Sequence, residues 1–485
     1  MPRRFTRRDA LKASAAGTLG YFFTGPALSV ASAAGANGKL YVAGVGIGGK
    51  GDSDIDQASK LMEVVALCDI DDHNLDRKKK KWEKAKGFND YRKLFDDEVF
   101  KSVDAVTVST PDHHHAPVAV TAMRAKKHVY VQKPLTHTVF EARLMRETAR
   151  KYGVCTQMGN QGTAENGLRR AVEVVQSGVI GDVKEVHCWT NRPVWPQGPD
   201  VLPGKYMPKE APVPSHVHWE EFIGPAAMRP YAVYEKNTPR AYGGRLGAYH
   251  DFHWRGWWAF GTGAIGDMAC HTANMAFMAL KLTTPTHVKA RADDVNPETC
   301  SSNAHVTMEF AARGSMPACT LHWYEGKKDG KLVHPPEELV AKVLKIDPDT
   351  RRNKSLVNSG SIIVGSKGFI YSPNDYGAQF YLGGGDFSKV NTTKPESLAI
   401  NNQGDQGQKN EWVKAIKAND HKLALSNFDY ASYLTEAFLL GNVAIRSGKA
   451  FEYDGETGHV KNCPEAEAYI TKAYRAGWDL LGKSA

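Results

Sequence analysis

The chain of 485 residues carries 62 lysines and arginines against 53 aspartates and glutamates, a formal net charge of +9, and is 42% hydrophobic. Five basic residues and one acidic residue before position 33 account for +4 of that charge; the remaining +5 forms no basic stripe interleaved with aromatics, which argues against a nucleic-acid partner. Seven cysteines with no C-x-x-C pair argue against a disulfide framework, and a mature chain of roughly 450 residues is too long for one core and predicts two domains.

Residues 6–12, TRRDALK, set Arg7 and Arg8 before a moderately apolar stretch at 13–30 and an alanine-rich segment ending in ASA at 31–33. This pattern is a twin-arginine signal over 1–33, which predicts recognition by the twin-arginine export machinery and a periplasmic or otherwise exported protein. Gly17, Thr18, Gly20, Thr24, Gly25 and Pro26 break the stretch, so no stable membrane anchor is expected. That route carries folded proteins, which suits a cofactor loaded in the cytoplasm and held tightly.

Residues 39–46 read as a buried strand, and the following loop supplies Gly46, Ile47, Gly48 and Gly51 in G-x-G-x-x-G spacing. The register Gly44, Gly46, Gly49 also fits, but it starts inside the strand. A second strand at 63–70 ends at Asp69, 23 positions after Gly46, where a carboxylate accepts ribose hydroxyls and repels a 2′-phosphate, favouring NAD over NADP. The alternative role for Asp69 is a helix N-cap. Residues 102–131 add a third strand, loop, helix and strand, and the loop carries Thr110, Pro111 and His113, His114 and His115 beside the expected cofactor. No acidic or cysteine partner stands at ligand spacing from these histidines, so no metal is expected. Residues 128–138, HVYVQKPLTHT, end a strand at Gln132, Lys133 and Pro134; Lys133 would reach both nicotinamide and a substrate hydroxyl. The strand and helix alternation predicts an α/β, Rossmann-type doubly wound parallel sheet over 38–159.

Beyond 159 the chain is richer in tryptophan, proline and glycine, and 160–460 reads as an α+β domain with a large open, mainly antiparallel sheet. Its candidate strands are 183–192, 286–295, 302–312, 316–326 and 360–373. Helices at 410–418 and 429–446, and a tail at 461–485, are expected to pack back on the first domain, and 326–359 reads as a surface insertion. Near 260–280 a glycine loop leads into an apolar helix expected to begin near Asp267, with Asp267 and His271 four residues apart on one face. A histidine there can take the proton of a carbinol while the carboxylate orients its ring, although a helix cap and a packed histidine are the plainer alternative. Asn160, Gln161, Arg192, Trp195, Tyr249, Arg255 and Trp257 lie on segments leading to that site, and aromatic faces with amide or guanidinium donors suit a sugar or glycoside.

Taken together, the glycine turn, the TPxxxH loop, Lys133-Pro134, MGNQG at 158–162 and GxxxGDxxxH at 262–271 resemble the glucose–fructose oxidoreductase, inositol dehydrogenase and rhizopine-catabolism (Gfo/Idh/MocA) family, in its exported branch. The resemblance runs from about residue 38 to the end. It implies catalysis by Lys133, Asp267 and His271 and tightly bound NAD. It further implies oxidation of a sugar secondary hydroxyl, such as C3, and a homo-oligomer. Two departures stand out: Gln132 replaces the family's usual glutamate, and Ala269 replaces a glycine. An NAD-recycling glycoside hydrolase acting through a keto-sugar and a non-catalytic sugar sensor remain as alternatives.

Overall fold

Short β-branched runs alternating with helical segments dictate a parallel sheet, because parallel neighbours need a crossover connection. In the computed structural model, which describes residues 38–201, 207–235 and 244–479, six strands realise it. They are β1 (Tyr41–Val45), β2 (Glu63–Cys68), β3 (Lys86–Phe88), β4 (Ala105–Val108), β5 (His128–Val131) and β6 (Thr156–Met158), ordered β3-β2-β1-β4-β5-β6 with every pair parallel. Strands β4 and β5 are buried along their whole length, as helices on both faces require. The crossovers include α1 (Gly49–Ala58), α2 (Asp72–Lys81), α3 (Asp112–Arg124) and α4 (Val139–Tyr152). Strand order reverses between β1 and β4, so the crevice for a ligand opens at their carboxyl ends. The export segment expected at 1–33 lies outside the described residues.

After α5 (Asn166–Gln176) the chain builds a second, mixed sheet. Its main strands are β7 (Val183–Thr190), β8 (His287–Ala292), β9 (Asn303–Phe310), β10 (Cys319–Lys328), β11 (Ser359–Gly365) and β12 (Gly368–Ser372), with β13 (Tyr381–Gly383), β14 (Phe451–Asp454) and β15 (His459–Val460) at the edges. The order is β13-β12-β11-β7-β10-β9-β8-β14-β15, antiparallel except for the parallel pair β7 and β10. The single strand expected at 360–373 is thus a hairpin, turned at Ser366-Lys367.

Period-two alternation sends Val186, Cys188, Val306, Met308, Leu321 and Trp323 to one face, where α6 (Gly263–Thr272) and α8 (Phe428–Ser447) cover them. Trp189 and Tyr324 point the other way. There Val343 and Ile346, from the segment expected as a surface insertion, pack against Trp189, Ile362 and Tyr371. That stretch is therefore a cover for the sheet, and within it the short helix Glu337–Val343 buries Val340 and Val343.

Late segments return to the first sheet. Helix α7 (Gly404–Ala418) sets Trp412, Val413, Ala415 and Ile416 against Leu40, Val42, Ile55 and Tyr130. In the tail, the Phe140 N–H donates to the Ile470 carbonyl at 3.0 Å, the Tyr474 hydroxyl to Glu141 at 2.8 Å, and Trp478 packs on Tyr91 under Arg92. All seven cysteines are buried and unpaired, and no helix among the described residues is long and apolar enough to cross a membrane.

Burial pushes His114 and His128 down to about 4 and holds His113 and His137 well below the usual range. The unfolded chain binds these protons near pH 6.5, where the folded chain refuses them. Their stabilisation is therefore complete above that pH and is lost as pH falls toward the folded values. Urea melts are expected to show a midpoint that drops steadily from about pH 7 to about pH 5, with a shallower slope in His128→Asn. A level midpoint across that window contradicts the expectation.

Candidate functional site

Strand β1 delivers the chain to Gly46, which turns at φ +74, a conformation that favours glycine. A Cβ there would meet the Ser109 backbone at 2.7 Å; one at Gly48 would strike Asn74, and one at Gly51 would overlap the Gly46 carbonyl oxygen. These three glycines are thus the working register, while Gly44 lies within β1 against Ile47 and Ile55. No side chain caps α1, so its first-turn amides, which have no intrahelical acceptor, can receive an anion.

Asp69, at the end of β2, accepts the N–H groups of Ile47 at 2.8 Å and Gly48 at 3.0 Å, and that of Asp71 at 2.9 Å. Burial raises its pKa despite those hydrogen bonds. The helix cap is Asp71 instead, which accepts the His73 N–H at 2.9 Å. Ile47 and Gly51 lie beneath the loop rather than on its outer face; the Ile47 side chain is fully buried.

A cleft of about 550 Å³ opens here, walled on one side by Gly46, Gly48, Asp69, Thr110, Pro111 and Gln132. Lys133, Asp267 and His271 line the same cleft, with Gln161, Arg192, Trp195 and Arg255. The Lys133 ammonium lies 2.6 Å from Asp267 Oδ1 and 3.3 Å from the Asp267 carbonyl. Arg255 Nε lies 3.3 Å from the same Oδ1, and its Nη1 reaches Asp112 at 3.2 Å. Asp112, at the first turn of α3 and fully buried, also accepts the Thr262 hydroxyl at 2.6 Å and N–H at 3.1 Å. Charges therefore alternate from Asp112 through Arg255 and Asp267 to Lys133. Burial alone would raise the Asp267 carboxyl, but Arg255 and Lys133 hold it well below the usual range.

Helix α6 begins at Gly263, four residues before the start expected from sequence, so Asp267 is mid-helix and caps nothing. One turn later, His271 presents its ring edge-on to Tyr376 with 5.0 Å between centroids, and its buried Nδ1 has no partner. The expected orienting hydrogen bond from Asp267 is not made; its Oδ1 engages two cations instead. Burial, reinforced by Lys133, drives His271 well below its ordinary value, so the imidazole is neutral at neutral pH.

Gln132, which brings no charge of its own, sits beside one. Its Nε2 donates to Asp54 Oδ2 at 2.8 Å, and Asp54 is fully buried with Lys409 Nζ at 2.5 Å, Lys50 Nζ at 3.2 Å and the Ser109 hydroxyl at 2.8 Å. Lys409 also lies over the Tyr130 ring at 4.0 Å. Sequence reasoning missed this network because Lys409 arrives from 355 residues away.

Other expected residues fall elsewhere. Asn160 is fully buried, donating to the Cys270 carbonyl at 3.2 Å and accepting the Ser426 hydroxyl at 2.6 Å, so it braces the site from behind. His115 faces the carbonyls of Pro134 at 2.7 Å and Thr110 at 2.8 Å, and so fixes the turn that carries Lys133 instead of the cleft wall. Tyr249 and Trp257 pack edge to face at 4.9 Å in an aromatic cluster with Phe260. His113 and His114 both address the Phe222 carbonyl. Asp375 and Tyr376, on the turn after β12, line the cleft without having been singled out; their only signal was a polar SPNDYG turn.

A doubly wound sheet whose glycine loop faces a lysine, an aspartate and a histidine across a cleft defines a two-domain dinucleotide-fold protein. A family profile described as "Oxidoreductase family, NAD-binding Rossmann fold" matches residues 39–160, and the "GFO/IDH/MocA C-terminal domain" matches 237–332. The chain belongs to the Gfo/Idh/MocA oxidoreductase family. It is 34% identical over 128 residues to inositol 2-dehydrogenase of Salmonella typhimurium, covering 26% of this chain and 37% of that protein. It is 31% identical over 195 residues to a glycosyl hydrolase family 109 protein of Solibacter usitatus, covering 37% and 44% respectively. The chain thus matches less than half the length of these relatives. Among solved structures, levoglucosan dehydrogenase in complex with NADH and levoglucosan superposes at TM-score 0.55 and 14% identity, covering 85% of this chain and 99% of that one. The aldose-aldose oxidoreductase of Caulobacter crescentus gives 0.52 and 15% over the same shares.

Removing the Asp54 charge leaves a buried ammonium unpaired. Asp54→Asn is expected to destabilise the protein by about 3–5 kcal/mol in urea melts, with much of the loss recovered in Asp54→Asn/Lys409→Met. A single variant as stable as the parent contradicts this account.

Proposed function

We propose that the protein is an exported, NAD-dependent oxidoreductase acting on a secondary hydroxyl of a sugar or glycoside. The observation that carries this reading is the meeting of the glycine loop with Lys133, Asp267 and an unprotonated His271 in one cleft. The residues fit a dinucleotide: uncapped α1 amides suit a pyrophosphate, and the Asp69 carboxylate suits ribose hydroxyls and disfavours the 2′-phosphate of NADP. When bound, NAD supplies the hydride acceptor.

The protein's own groups do the rest. Lys133, its ammonium pinned by Asp267, donates a hydrogen bond to the carbinol oxygen and stabilises the negative charge that grows there. Neutral His271 takes the carbinol proton as general base. Arg255 and Asp112 keep Asp267 charged and in place, and so act as positioning residues. Trp195, its Nε1 tied to Gln197 at 2.5 Å, offers a fixed face for a sugar ring, with Arg192 and Gln161 as hydroxyl ligands. The similarity to inositol 2-dehydrogenases supports a polyol or sugar substrate. The Arg7-Arg8 segment supports export through the twin-arginine machinery with the cofactor tightly held.

One further reading has its own support. Similarity to glycosyl hydrolase family 109 proteins favours a closed cycle in which a transient keto-sugar eliminates its aglycone and the cofactor is restored. Asp375, a carboxyl raised by burial in the same cleft, suits a proton donor to the leaving group.

The test is to identify nucleotide released on denaturing the purified protein, then follow NADH absorbance and sugar products with a glycoside panel. One NAD per chain is expected. Net NADH release indicates a dehydrogenase, product without it the closed cycle, and binding alone a sensor. Lys133→Ala is expected to lower kcat/KM by about 10²–10⁴ with nucleotide content unchanged; full activity in that variant would sink the mechanism. Because His271 is held below the ordinary value, kcat/KM should stay level through about pH 6.5 and fall only in more acid solution. A limb centred at that pH, retained in His271→Asn with residual activity, would show that His271 is not the base.

A further inference from the structure

In the wall of the same cleft, which Asp71 and His250 also line, a segment of the second domain runs beside the residues that follow β2. Asp71 bridges Val217, the Asp72 N–H donates to the His216 carbonyl at 2.9 Å, and the His218 N–H to the Ile70 carbonyl at 2.8 Å. This pairing gathers three imidazoles around one carboxylate. His73 Nδ1 lies 3.9 Å from Asp71 Oδ1, while His216 Nε2 and His250 Nε2 lie 3.8 and 3.2 Å from Oδ2. Donor atoms of Asp71, His73 and His216 all fall within 4.8 Å of one another, and the rings of His73 and His216 lie side by side with centroids 4.0 Å apart.

Ligand bonds of about 2.0–2.2 Å at tetrahedral angles separate neighbouring donors by about 3.3–3.6 Å. With the donors of Asp71, His73 and His216 within 4.8 Å of one another, the widest pair needs to close by about 1 Å, by rotation of the exposed His73 and His216 rings, and His250 joins through its 3.2 Å contact with Oδ2. Shelter and access are both present: the Asp71 side chain is 12% exposed and that of His250 15%, whereas His216 is 32% and His73 73% exposed.

We infer that Asp71, His73, His216 and His250 form a site for a divalent transition-metal ion of the zinc class. Sequence reading expected no metal because the ligands come from three separate stretches and only Asp71 and His73 are neighbours. Bound there, the ion ties the second domain to the first beside the cleft. Metal binding does not depend on the proposed oxidoreductase activity; slowed escape of a bound dinucleotide, the consequence of the tie, does rest on that reading.

The experiment uses the full chain, stripped of metal by a chelator and titrated with Zn²⁺ against a chromophoric chelator. One tight equivalent per chain is expected, weakened about 10-fold or more in His216→Ala and in His73→Ala. His73 is exposed, so its variant keeps the test valid if His216→Ala fails to fold. His305→Ala, at a histidine cluster on the second sheet, should bind as the parent does. Absence of a stoichiometric equivalent, or undiminished binding in His73→Ala, means adventitious surface binding and overturns the site. Zn²⁺ should also slow nucleotide release from the parent and not from His73→Ala; equal release with and without metal overturns the tie while leaving the site standing.

Discussion

The contact between Lys133 and Asp267, 2.6 Å across the boundary of two sheets, is the constraint on which the cleft depends. Neither partner is stable alone in so enclosed a place: a carboxylate there needs cations, and an ammonium needs an anion. Arg255 and Asp112 extend the pair into a row of alternating charge, so the energy of desolvation is spread over four groups. Because Lys133 sits at the end of β5 and Asp267 in α6, satisfying these charges fixes the two domains in register. Burial leaves His271 uncharged, and Lys133 in the same row adds to the effect.

A second buried row lies behind the first. Lys409 and Lys50 meet Asp54, and Asp54 meets Gln132. The amide at position 132 therefore answers a carboxylate that α1 already supplies. Gln132 looked, from its neighbours alone, like a lost charge; in the fold its amide donates to Asp54 Oδ2, while Oδ1 serves both lysines. A glutamate there would set two anions in hydrogen-bond contact.

What sequence could reveal follows from how local each signal is. Gly46, Gly48, Gly51 and Asp69 are set by steric and hydrogen-bonding demands within one strand, turn and helix, so their spacing was readable. Lys133, Asp267 and His271 were legible because proline after a strand and an i,i+4 pair on a helix are short-range patterns. Asn160, His115, Tyr249 and Trp257 were not separable from ligand-binding residues, because an amide, an imidazole or an indole serves equally well as a brace in the core. Asp54, Lys409 and Asp375 had no local signature; only the return of distant segments gives them partners. The helix start at Gly263 was missed because glycines that mark a loop in isolation are tolerated here inside a buried first turn.

Helix α7 has a consequence for how this protein can be made and cut. Trp412, Val413 and Ile416 complete the apolar face of the first sheet, and Lys409 neutralises a charge buried against it, although both come from beyond residue 400. A ribosome releases the first sheet long before it releases its lid, so the nascent nucleotide domain waits with one flank bare and Asp54 paired with Lys50 alone. Expression of residues 38–159 as a free fragment would meet the same difficulty. Sequence order and structural completeness are here out of step, and the part of the chain that holds the glycine loop is the part least able to stand alone.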